Sequence, residues 1–151
     1  RCFALGTDLW ALWTDSSGHI LGSRFATAGT FQWQAPVSLI GDQSATATFS
    51  AWDAAPDSGG LLFYVAYQDN QATNHVHVRK FDTNGSAFVT NDFAIGSGTL
   101  PVTAFALKSQ SGGSLWLAYS TTDGVNTNYI RSVGFDQTTR AITAAYTLAW
   151  S

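Results

Sequence analysis

A chain of 151 residues is long enough for one ordinary domain with a real core. It is 45% hydrophobic and 14% aromatic but only 11% charged, and all ten acidic residues are Asp, with no Glu and no Met. Scarce helix formers and abundant Thr, Val, Tyr, Phe and Trp favour strands. A net charge of −3 leaves no basic patch to neutralise the phosphates of a nucleic acid.

No apolar run approaches the roughly 18 residues of a membrane helix, so no membrane insertion is expected. The chain starts at Arg1 without Met or a signal-like segment, which reads as a processed or excised end. Cys2 is the single cysteine, which excludes an internal disulfide. A small buried apolar role is expected for it. Low charge with much Ser, Thr, Asn and Gly suits a secreted or surface protein.

In chain order, the first predicted strands are "CFALG", "DLWALWTD" (Asp8 to Asp15), "HILGSRF" and "TFQWQAP", joined by the polar stretches "SSG" and "ATAG". A second set follows: "TFSAWD", "LFYVAYQD" (Leu62 to Asp69), "HVHVRKF" and "SAFVTNDF", joined by "NQATN" and "DTNG". The Asn-Gly pair of "DTNG" tolerates the positive φ of a tight hairpin. The third set is "TAFALKS", "SLWLAYST" (Ser114 to Thr121), "YIRSVGF" and "RAITAAYTL", joined by "TDGVNTN" and "DQTT".

The three sets align. Trp10, Tyr64 and Trp116 fall in one column, Trp13, Tyr67 and Tyr119 in another, and Phe25, Phe81 and Phe135 close the third strands. Phe3, Phe49 and Phe105 are expected to share a register in the first strands. The chain is thus three copies of a unit of roughly 50 residues, within the range of repeat architectures. Four antiparallel strands per unit, apolar or small on both alternating faces, fit a blade of a β-propeller. The expected blades are 1–43, 44–98 and 99–151. A β-sandwich of about twelve strands is the rival, but sandwich strands need not recur in fours. Closed propellers typically have 4–8 blades, so three are expected to be completed by further blades or by a second chain.

In a propeller the loops between second and third strands open on one rim. Here they carry Asp15, Ser16, Ser17 and His19; then Gln68, Asp69, Asn70, Asn74 and His75; then Asp123, Asn126 and Asn128. Sugar recognition needs an aromatic face for the C–H patch of a pyranose and polar groups for its hydroxyls. The candidate ligand-binding residues are therefore Trp13, Tyr67 and Tyr119 for stacking, with Asp15, Asp69, Asn74, His75, Asp123 and Asn128 for polar contacts. Repeated weak sites would add up by avidity. The competing expectation is that the aromatics pack between blades and the Asp and Asn residues build turns.

Other chemistry finds little support. His75 and His77 share a strand face, but two imidazoles do not make a zinc site, and a solvated or interface pair is expected. The aligned Asp15 and Asp69 are too few for calcium. No cofactor is expected. Asn84-Gly85-Ser86 matches a glycosylation triplet, and its turn role accounts for it. A sialidase-type site needs clustered arginines and a separate acid, whereas Arg1, Arg24, Arg79, Arg131 and Arg140 are scattered and Glu is absent. No Asp pair stands out for glycosidase chemistry, and no G-x-S-x-G, P-loop or zinc-protease motif occurs, so no enzyme is expected.

The second unit resembles a repeat of secreted, mostly bacterial β-propeller proteins. The match runs through "YVAYQD" (Tyr64 to Asp69), "VHVRKF" (Val76 to Phe81) and "GSAF" (Gly85 to Phe88). More distantly, "DLWALWTDSSGHI" is similar to blades of fungal fucose-binding lectins, whose fucose-contacting Glu has no counterpart here. These resemblances imply a propeller fold and an extracellular or cell-surface location. The resulting expectation is a non-catalytic, lectin-like protein whose partners are glycans and other blades, its own or a second copy's. The alternatives are a structural or adhesive surface or filament subunit, and a non-catalytic part of a larger glycan-active enzyme.

Overall fold

The computed structural model describes residues 1–29, 31–40, 52–68, 76–84, 87–94, 102–110, 114–122, 128–136 and 142–150; side chains are described for 1–29, 31–40, 52–68, 76–84, 106–110 and 115–119. The described residues hold no helix. The strands are β1 (Cys2–Leu5), β2 (Asp8–Thr14), β3 (Ile20–Ala26), β4 (Gln32–Trp33), β5 (Val37–Ile40), β6 (Trp52–Pro56), β7 (Leu62–Gln68), β8 (Val76–Asp82), β9 (Ala87–Ala94), β10 (Val102–Gln110), β11 (Ser114–Thr122), β12 (Asn128–Asp136) and β13 (Ile142–Trp150).

They form three antiparallel sheets. The first runs β1-β2-β3, with β4 and β5 both paired to β3; the others run β6-β7-β8-β9 and β10-β11-β12-β13. The two central strands of each sheet share one register. Leu9 lies opposite Phe25, Phe63 opposite Phe81, and Leu115 opposite Phe135. Short polar links between apolar strands favour such local antiparallel pairing.

Three expectations need correction. The fourth strand of the first sheet is not continuous over "TFQWQAP" but splits into β4 and β5. Pro36 has no N–H to give to a ladder; Gln34 N still bonds Arg24 O at 2.8 Å, and the Ser23 hydroxyl donates to Gln34 O at 2.6 Å. The first strands are offset from the expected column. Phe105 lies opposite Tyr119 and Trp52 opposite Tyr67, so these two share a position, whereas Phe3 lies opposite Trp10. Phe49 is outside the described residues. The Phe column failed because a strand shows only alternation, not its start. Cys2 is exposed rather than buried, since it pairs with Ala11 on the Leu9–Trp13 face, while Phe3 and Leu5 of the same strand point to the buried cluster.

The sheets stack in chain order, and β7 shows why. Successive side chains along a strand point to opposite faces. Phe63, Val65 and Tyr67 join a buried cluster with Leu5, Trp10, Leu12, Ile20, Leu39 and Ile40 of the first sheet. Tyr64 and Ala66 join a second cluster with Leu107, Leu115, Leu117 and Tyr119 of the third. The second sheet is therefore covered on both faces. In the first interface the Phe63 ring sits 5.0 Å from Trp10, 5.5 Å from Phe3 and 5.1 Å from Phe81.

Between sheets, first strands lie near one another, β1 with β6 and β6 with β10, and β10 also lies near β7. Asp53 on β6 joins all three sheets: its carboxylate accepts from Leu107 N of β10 at 2.8 Å and pairs with the guanidinium of Arg1. Arg24 of β3 donates to Asn84 Oδ1 at 3.0 Å, and Trp52 Nε1 donates to Thr14 Oγ1 at 2.8 Å. Apolar burial dominates these interfaces. Each large side chain withdrawn from water contributes about 1.5–3 kcal/mol, whereas an ion pair with a half-exposed partner such as Arg1 contributes about 0–1 kcal/mol.

Candidate functional site

The link between β2 and β3 is the one loop between second and third strands whose side chains are described throughout. Asp15 N bonds His19 O and Gly18 N bonds Asp15 O, each at 3.0 Å, closing a tight turn. Gly18 sits at φ 84, a conformation glycine adopts without a Cβ penalty. Asp15 Oδ1 accepts from the backbone amides of Ser17 at 2.8 Å and His19 at 2.9 Å, and its Oδ2 lies 3.3 Å from His19 Nδ1. The His19 amide, joined by that of Ser17 and by the imidazole, holds the Asp15 carboxyl below its ordinary value. Asp15 is thus a fixed carboxylate beside an imidazole, with Ser16 and Ser17 exposed next to it.

The aligned aromatics divide by position. Tyr67 is 1% exposed and Tyr119 6%, each facing the preceding sheet, while Trp13 is 37% exposed. Tyr67 stacks on His77 with centroids 5.2 Å apart and planes at 14°. Neither tyrosine presents a ring face to solvent, so the stacking role expected of them is replaced by packing between sheets. That column of aromatics is a core column, and Trp13 differs only because no described sheet covers the outer face of the first one.

Asn128 opens β12, paired with Thr122 and Trp150. Asp69, Asn74, His75 and Asp123 lie outside the described residues, as do Gly85 and Ser86 of the glycosylation triplet. Asn84 itself caps the turn after β8, its amide bonded to Asp82 Oδ1 at 2.8 Å. Among the described residues no group of three His, Cys, Asp or Glu side chains could hold a metal ion.

Sequence reading missed a feature on the outer face of the first sheet. Ala11, Trp13, Ser23, Trp33, Gln34 and Pro36 line an open, largely apolar hollow of about 340 Å³. Trp33 leans edge-on against Phe25, with centroids 5.4 Å apart at 64°. The break in the fourth strand creates the hollow, and Pro36 was the available signal. In comparisons with known proteins, no family model and no curated protein matched this chain.

Proposed function

We propose that the chain forms part of a β-propeller, completed by further blades or a second chain, that serves as a non-catalytic, extracellular or cell-surface binding protein, with glycans as its ligands. Three stacked sheets of four strand positions, with shared central registers and first strands near one another, support the propeller reading. The observation that carries the ligand reading is the Asp15–His19 loop. It offers an ionised, immobilised carboxylate, an imidazole and two hydroxyls on an exposed turn, the donors and acceptors that sugar hydroxyls use. Asn128 and the Asp69, Asn74, His75 and Asp123 positions would supply the corresponding groups of the other two repeats. The aromatic contribution to binding is confined to Trp13 among the three aligned rings.

The test is binding of the purified protein to a broad glycan array, with and without EDTA, alongside an Asp15→Ala variant. One sugar family should bind, and the variant should bind it at least about tenfold more weakly while melting as the parent does. A blank array from folded protein would refute the glycan reading for the sugars displayed. A second reading, a structural or adhesive subunit, draws on a specific observation. Leu9, Trp13 and Trp33 are all exposed on one sheet face, more apolar surface than a lone sheet ordinarily leaves to water.

A further inference from the structure

The outer face of the first sheet has buried counterparts in the other two. Leu9, Phe63 and Leu115 occupy one register position, opposite Phe25, Phe81 and Phe135. Phe63 and Leu115 are 0% exposed, each facing the preceding sheet, whereas Leu9 is 48% exposed. The face carrying Leu9, Trp13 and Trp33 is therefore of the kind that a preceding sheet covers.

The complementary column runs through all three sheets. Trp10, Tyr64 and Trp116 occupy the same column, on the face each sheet turns to its successor. Trp10 packs on Phe63 of the second sheet at 5.0 Å, and Tyr64 enters the cluster that holds Leu115 of the third. Leu115, Leu117 and Tyr119 point back into that cluster, so Trp116, next along the strand, points away from it. Trp116 is only partly buried, its Nε1 donating to Gln110 Oε1 at 2.9 Å. With Lys108, Ser109 and Gln110 it lines a second hollow, of about 300 Å³.

We propose that the first sheet's Leu9–Trp13–Trp33 face is a docking surface for the third sheet of a second copy of this chain, with Trp116 packed on Leu9 as Trp10 packs on Phe63. Every sheet then meets the next through the same pair of faces. The contact is head-to-tail, each copy supplying one face of each kind, and it forms a ring where the rotation closes. Six sheets fall within the 4–8 of closed propellers. The inference rests on the stacked-repeat reading of the fold and is independent of glycan binding.

The test uses the full chain with Cys2→Ser as background. Leu9→Cys and Trp116→Cys are made as separate variants, mixed, and treated with a short thiol-reactive bifunctional reagent. The mixture should give an adduct of twice the 16.1 kDa chain mass, while either variant alone should not. Equal adduct in the single-variant samples, or none in the mixture, would overturn the proposal. Sedimentation of a Trp13→Glu variant is the second arm. Its self-dissociation constant should rise at least roughly 30-fold, as for loss of a central Trp anchor, with an unchanged circular dichroism spectrum. A parent chain that sediments as a monomer, or a folded variant that associates as the parent does, would also overturn it. A blank glycan array with the crosslink present would refute only the ligand reading.

Discussion

A Cβ built on Gly22 would lie 2.8 Å from Leu39 Cδ1 and 3.1 Å from the Trp10 ring. The glycine lets β3 run beneath the indole that fills the first interface, and both obstructing side chains belong to the buried cluster. They have little room to withdraw, so Gly22→Ala should destabilise the fold by about 1–3 kcal/mol, the usual cost of overpacking. Thermal unfolding followed by circular dichroism checks this, and a melting temperature equal to the parent's would show that Trp10 is loosely held. Asp53 acts at the same scale by satisfying the buried amide of Leu107 across two sheets. Asp15 holds only its own loop, which is why it suits a binding test better than a stability test.

Among the elements, β2 and β7 carry the same pattern in different surroundings. Tyr67→Ala should cost about 3–5 kcal/mol, since it empties a fully buried aromatic position between two sheets. Trp13→Ala, measured by denaturant unfolding at dilution where copies are dissociated, should shift stability by about 0.5 kcal/mol or less. Similar costs for the two would mean that Trp13 is already packed within the single chain. The central strands and their shared register were legible in the sequence because alternation and the recurring Phe leave little freedom in pairing. The first strands were not, since short apolar runs show no starting point, and β6 begins at Trp52 where an earlier Phe looked like the anchor. The burial of Tyr67 and Tyr119, unlike Trp13, was illegible for a related reason. Periodicity places Tyr67 and Trp13 in one column but cannot tell a covered face from an open one. Trp33 escaped notice because the break at Pro36, not any motif, makes its hollow.

At the scale of the molecule, the three sheets stack in chain order through two buried clusters. The second sheet is covered on both sides, and the first keeps an outer face on which Leu9, Trp13 and Trp33 are exposed. Low charge and a middle sheet apolar on both faces are consequences of that plan, since charges would have to be desolvated at each contact. The described β2–β3 loop is polar and lies beyond the packed faces, with Ser16 and Ser17 exposed. Single-particle images of the purified assembly test the central claim most directly, that successive repeats stack through like faces as blades. The account predicts a closed ring of six equal sheets around a two-fold axis. Two sheets packed face to face as a sandwich, or an open row of sheets, would contradict it.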